Sequence, residues 1–329
     1  SYVTLSNGWQ PHFQGQNACS VSFVHRECGG LYQNPVIGFD CPDPGVTRDG
    51  DTYFMVCTGG DGGGIYVIRS SPDLVHWTNA GHVFPGWKGP AWATGDFWAP
   101  EIHKVGGHYV AYFSARHQDG KLSVGAASGP TPTGPFTDLG QPLVHDGGMG
   151  MIDVSAFTDG DGNPYLLWKA DGNAVGKKTP MYGQRLSADG LSLVGERATL
   201  LTNDQGWEGP LVEAPWVTRR DGKYFMFYSG NAYYNGTYAV GVARSDNPLG
   251  PYTKKGAPIL RSGASWVGPG HNSVVSGPHG EDFLVYHAWA AGHVAGPGDG
   301  RLTLVDQIVW SDGWPSVPQA PSRASRPMP

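Results

Sequence analysis

The sequence predicts an all-β fold, a five-bladed β-propeller with four antiparallel strands in each blade. Two observations predict it. One pattern recurs five times: a polar residue, a short strand, a Gly-containing turn, then a strand rich in Tyr, Phe and Trp. It reads DPGVTRDGDTYFMVCTG from Asp43, PEIHKVGGHYVAYFSA from Pro100, DVSAFTDGDGNPYLLWKA from Asp153, EAPWVTRRDGKYFMFYSG from Glu213 and HNSVVSGPHGEDFLVYHAW from His271. The leading polar residues Asp43, Glu101, Asp153, Glu213 and His271 are spaced by 58, 52, 60 and 58 residues. Strand–turn–strand units at such a period indicate a propeller, because each blade needs its neighbours to cover its faces. The second observation is that another strand pair follows each hairpin, as in GIYVIRSSPDLVHWTNAG and YAVGVARSDNPLGPYTKKGAPIL. Two hairpins make one blade.

Taken in order, residues 1–34 are a polar lead-in with the aromatics Trp9, Phe13, Phe23 and Tyr32, and offer a strand that could close the ring. Blade one begins at NPVIGFDCPDPG. The Gly run at 59–64 is a blade turn, since no helix follows to cradle a phosphate. Asp221–Gly222 in blade four is the clearest hairpin turn, an Asp-Gly pair between β-rich runs. Alternation of period two, as at Tyr66 and Ile68 or Val240 and Val242, marks the third strands. The propeller therefore occupies 1–316. The Pro- and Ser-rich stretch 317–329, VPQAPSRASRPMP, reads as a flexible tail or linker, with a carbohydrate-binding module as a candidate continuation.

Composition narrows the function. Twelve Trp and 39% apolar residues supply a core, and a net charge of −6 gives no basic surface for nucleic acid. No apolar run is long enough for a membrane-spanning helix. Four cysteines, Cys19, Cys28, Cys41 and Cys57, lie early in the chain without a CxxC pair. They read as two disulfides, most simply Cys19–Cys28 and Cys41–Cys57, with four buried thiols as the alternative. Disulfides would place the protein outside the cell.

Five titratable residues at the fronts of five blades would ring one central channel, and that ring is the candidate active site. Glycosidic hydrolysis needs one carboxylic acid to protonate the leaving oxygen and one carboxylate to activate water or attack. Asp43 and Glu213 fall in blades one and four, and Asp153 in the blade between them. Like-charge repulsion from Asp153 is expected to raise Glu213 and keep it a proton donor.

The strings NPVIGFDCPDPGV, FWAPEI, MIDVSAFTDGDGNPYLLW, VEAPWV, GPGHNSVV and WSDGWPSV resemble glycoside hydrolase family 43 over roughly residues 34–316. The resemblance implies a five-bladed propeller that hydrolyses α-L-arabinofuranosides or β-D-xylosides with inversion. It assigns Asp43 as general base in preference to Asp40, Asp153 as the residue that tunes and orients the acid, and Glu213 as general acid in preference to Glu208. Glu101 would line the channel. Arg301 matches an arginine that reaches the sugar in many members, with a solvated surface Arg as the competing reading. His271 matches a histidine near the axis, where arabinan-cleaving members hold a calcium or other ion through waters. A histidine bonded to channel water is the alternative, and no cofactor is required. Phe39, Trp98 and Trp207, close to these positions, are candidate sugar platforms.

The EAP string and Tyr233–Tyr234 favour the arabinose-releasing branches, acting on arabinan, arabinoxylan or arabino-oligosaccharides of plant cell walls. The expected activity is an exo-α-L-arabinofuranosidase. Its alternatives are a β-D-xylosidase or endo-arabinanase of the same family and a non-catalytic carbohydrate-binding propeller.

Overall fold

A computed structural model of the chain describes residues 30–329. Five antiparallel sheets follow one another along the chain. Blade one is built from Gly45–Asp49, Thr52–Val56, Gly64–Ser71 and Thr78–Pro85, with the short Gly60–Asp61 beside the third. Blade two comprises Ala93–Val105, His108–His117, Leu122–Gly129 and Thr137–Asp138, and blade three Met151–Thr158, Pro164–Ala170, Met181–Leu186 and Leu193–Leu201. Blade four holds Val212–Arg220, Lys223–Gly230, Ala239–Ser245 and Thr253–Lys254, and blade five Trp266–Ser276, Asp282–Ala290, Arg301–Ser311 and Trp314–Ser316. The first strands of neighbouring blades contact one another, and the first strand of blade five contacts that of blade one. They line the axis, and the ring is closed.

Turn chemistry sets the registers. In blade four, Arg220 pairs with Lys223 across Asp221 (φ 49°) and Gly222 (φ 76°). Two successive left-handed residues make the tight turn whose twist matches the strands, and Asp-Gly adopts it cheaply. Gly106 and Gly107 do the same in blade two.

The buried apolar residues form five clusters, one at each blade interface. Phe113 and Tyr109 meet Ile65 and Tyr66 between blades one and two, and Trp168 meets Tyr112 and Val124 between two and three. Leu167 faces Met226 across the next interface, Trp266 faces Phe227 across the fourth, and Phe283 with Val285 meets Tyr53 and Met55 at the closure. No blade buries its faces alone.

Both ends of the described residues lock the closure. Tyr32 and Asn34 bond to Val305 of blade five, and Leu31–Tyr32 pairs with Arg326–Pro327. The stretch 317–329, expected to be a flexible linker, instead packs on the propeller. Val317 joins the core between blades four and five, and Arg326 forms a buried ion pair with Asp306. Composition misled here because the partners of these residues lie on strands that sequence proximity does not reveal. Cys41 and Cys57 form a disulfide, with Cα atoms 5.3 Å apart. Cys19 and Cys28 lie outside the described residues.

Candidate active site

A left-handed non-glycine residue recurs in or just before the first strand of each blade: Asp43 (φ 59°), Ala99 (φ 40°), Asp153 (φ 56°), Ala214 (φ 55°) and His271 (φ 47°). In blades two to five a bulge in the strand pairing accompanies it. Bulges re-aim side chains, and strained non-glycine residues persist only where their surroundings hold them. This corrects the sequence alignment of the five polar fronts. Asp43, Asp153 and His271 share one structural position. In blades two and four that position is alanine, with Glu101 two residues after Ala99 and Glu213 one residue before Ala214. Aligning by charge shifted those two blades out of register, because backbone conformation, not charge, is what repeats.

A second ring holds the first. A polar residue at the end of each second strand reaches into the next blade. Thr58 Oγ1 accepts the backbone N–H of Ala99 at 2.7 Å, Ser114 Oγ that of Asp153 at 3.1 Å, Ser229 Oγ that of His271 at 2.8 Å and His287 Nδ1 that of Asp43 at 3.1 Å. In blade three the equivalent residue is Lys169, fully buried, whose ammonium donates to Glu213 Oε2 at 3.0 Å. Ala214 N–H then donates to Asp153 Oδ2 at 3.2 Å. The exception in the ring falls where Asp153, Glu213 and Asp171, the last 3.2 Å from the Lys169 ammonium, gather around one cation.

Asp43 is buried among donors. Its carboxylate accepts from Thr58 Oγ1 at 2.5 Å and Arg301 at 3.1 Å, and faces His271 Nδ1 at 3.2 Å. Burial pushes the carboxyl up, but the Arg301 guanidinium and His271 outweigh it and hold Asp43 well below the usual carboxylate range. His287 is pushed down to about 4 by burial, which suits an imidazole whose Nδ1 accepts a hydrogen bond.

Glu213 is gripped from both sides, by Lys169 and by the Tyr238 hydroxyl donating to Oε1 at 2.7 Å. Burial raises it, but Lys169 and Tyr238 prevail and its proton affinity falls. Asp153 is pushed up to about 7 by burial, with the negative charge of Glu213 adding to the rise. The expected repulsion between these two carboxyls is present, but the proton it retains sits on Asp153 in the free site, not on Glu213. The missing consideration was Lys169.

His271 is buried, and the carboxylates of Asp43, Asp153, Glu213 and Glu101 outweigh burial to raise its pKa. Its Nδ1 is taken by Asp43, so direct ligation of a calcium, which prefers oxygen donors, fits poorly. Glu101 is buried and paired with His103 at 2.6 Å.

Phe39 is exposed on a groove of about 660 Å³ lined also by Asp40, Tyr233, Tyr234 and Trp289. The Arg301 guanidinium lies 4.5 Å from the Tyr233 ring centre, so one side chain joins this groove to Asp43. Trp98 is half-buried beside Ala99. Trp207 packs over Gly230 and Gly241, where an added Cβ would come within 2.6 and 2.7 Å of its ring. Asp40 is exposed and accepts the backbone N–H of Arg301, while Glu208 is buried against Lys254 and Tyr228.

Sequence reading missed Lys169, Tyr238, His287 and Thr58. The signal for Lys169 was available: a lone lysine in the aromatic run PYLLWKA, at the strand end where the other blades carry Thr, Ser or His.

A carboxylate kept ionised beside a coupled pair that retains a proton near neutrality answers the needs of acid–base cleavage of a glycosidic bond. Fold and site together define the class as the glycoside hydrolases. Residues 32–315 match the family model of glycosyl hydrolases family 43, and the chain belongs to that family. It is 30% identical to the beta-D-galactofuranosidase xynD of Aspergillus niger, over 76% of this chain and 72% of that protein. It is 28% identical to the extracellular exo-alpha-(1->5)-L-arabinofuranosidase ArbA of Cellvibrio japonicus, over 84% of this chain and 86% of that one. A crystal structure of a thermostable family-43 glycoside hydrolase superimposes with a TM-score of 0.83 at 35% identity, covering 91% of this chain and 99% of its own.

Proposed function

We propose that this protein is an exo-acting α-L-arabinofuranosidase that releases L-arabinofuranose from α-1,5-linked arabinan or arabino-oligosaccharides of the plant cell wall, with inversion. The observation that carries the reading is the placement of three buried carboxyls, Asp43 held by Arg301 and Asp153 bonded to the backbone beside Glu213. Asp43, held ionised, takes a proton from the attacking water as general base. A sugar hydroxyl competing for Arg301 would loosen its hold on Asp43 and strengthen that base. Glu213, ionised in the free site, acts as general acid with the proton that the Asp153–Glu213 pair retains, passing it to the leaving oxygen. Asp153 supports it, because the two carboxyls titrate as one unit and its Oδ2 fixes the backbone next to Glu213. Any ion near His271 would be held through water, and no step depends on it.

The groove suits a small, flexible furanose. Phe39, Tyr233 and Tyr234 offer apolar faces, while Arg301, stacked on Tyr233, links the groove to the Asp43 carboxylate. Sites that hydrogen-bond hydroxyls discriminate strongly between sugars. Trp98, Glu101 and Trp207 are assigned here to shaping the channel wall. The relative named as an exo-arabinofuranosidase supports arabinose release from chain ends, and its name as extracellular agrees with a Cys41–Cys57 disulfide formed in an oxidising compartment. The test compares 4-nitrophenyl α-L-arabinofuranoside, 4-nitrophenyl β-D-xyloside and debranched arabinan, with products separated by size. Arabinose as the main product is expected. Dominant xylose release would reject the substrate, and an oligosaccharide ladder would reject the exo mode.

A further inference from the structure

A second polar cluster lies outside the carboxylate site, where blade two meets blade three. His117 ends the second strand of blade two, Asp119 sits in the turn that follows, and His145 lies in the loop entering Met151–Thr158, the strand of Asp153. We propose that His117, Asp119 and His145 bind a divalent transition metal of the zinc type.

One ligand atom from each residue falls within 4.8 Å of the others, the only such set among the described residues. The two oxygens of Asp119 face one imidazole each, at 3.0 Å from His117 Nδ1 and 3.0 Å from His145 Nε2. An ion with bonds of about 2.0–2.2 Å holds its ligands roughly 3–3.5 Å apart, so only a small closure is needed. The imidazole rings already stand 4.5 Å apart. Two imidazoles and one carboxylate select zinc, nickel or copper over calcium and magnesium, which prefer oxygen.

The surroundings orient the set. His145 Nδ1 lies 2.8 Å from the hydroxyl of buried Ser123, which in turn donates to Lys121 O at 3.4 Å. With its proton committed to that carbonyl, Ser123 accepts the imidazole N–H, leaving a lone pair on Nε2 toward Asp119. Metal ligands use such a partner to fix the ring and tautomer. Lys121 N–H steadies Asp119 Oδ1 at 3.0 Å, and the long 3.3 Å contact from Asp119 N–H to His117 Nδ1 is the one that metal capture would displace. Side-chain exposures of 25%, 42% and 32% leave the site open to ions, with water to complete the coordination. The bound metal would staple the turn after His117 to the loop that enters the Asp153 strand.

The test is calorimetric titration of ZnCl2 into the metal-stripped full chain near pH 7.5, with Asp119→Asn, His145→Ala and His145→Gln beside it, and thermal unfolding of each. One Zn2+ per chain is expected, and its binding should be lost in the variants. Zinc at about 100 times its Kd should raise the Tm of the parent by several degrees and leave that of the variants unchanged. Because the three side chains are partly exposed, the metal-free variants should unfold near the parent Tm. Absence of binding to the parent would overturn the proposal, leaving a hydrogen-bonded His–Asp–His cluster. Binding that survives in the variants would overturn it equally, since the ion would then sit elsewhere.

Discussion

Asp153 is the residue on which the electrostatics turn. Its carboxyl titrates at about 7 in the folded chain, against about 3.9 when unfolded. The native state thus binds this proton more tightly, so the stabilisation it gives is complete below about pH 4 and is lost as pH rises through 7. Asp153→Asn is neutral throughout, so its Tm relative to the parent should be higher at pH 8 than at pH 5. A difference independent of pH would contradict the assignment. For the reaction, Asp43→Asn should lower kcat/KM about 10²–10⁴-fold on every substrate. Glu213→Gln should lose as much on arabinan but far less on 4-nitrophenyl arabinofuranoside, whose leaving group needs little protonation. Equal losses on both substrates would remove Glu213 from the role of acid. Asp43, Asp153 and Glu213 were legible in the sequence because each opens a recurring hairpin. Lys169 was not, since one cation in an apolar strand declares its partner only when the next blade is placed beside it.

At the scale of the element, the recurring unit is a bulged first strand whose left-handed residue is tied down from the preceding blade. Four of the five ties use a side chain on, or just past the end of, the preceding second strand: Thr58, Ser114, Ser229 and His287. Ser114→Ala would leave the buried N–H of Asp153 without its acceptor, at about 1–3 kcal/mol. Chemical denaturation should register that loss, and kcat should fall as well because Asp153 is released. A variant with parent stability and kcat would show the tie to be dispensable. Hairpins and blade order were readable from Asp-Gly turns and aromatic strands. The bulges were not, because an alanine at φ 40° or 55°, as at Ala99 and Ala214, resembles any other alanine in sequence.

The whole molecule is a ring that must be shut, and both ends of the described chain help to shut it. Residues 31–34 run onto blade five, and Arg326 reaches the buried Asp306, which also accepts from Tyr286 at 2.6 Å. Ending the chain at Ser316 removes Arg326 and strips Val317 from the core between blades four and five. Breaking a buried ion pair costs about 3–5 kcal/mol, so the shortened chain should unfold several degrees lower. An unchanged Tm would make the tail the linker its composition suggests. The central claim, a ring whose carboxyls divide into base and acid for a single displacement by water, is tested most directly by proton NMR of the first sugar released from an α-L-arabinofuranoside. The β-anomer of arabinofuranose is predicted to appear first and then mutarotate, whereas initial release of the α-anomer would contradict the account.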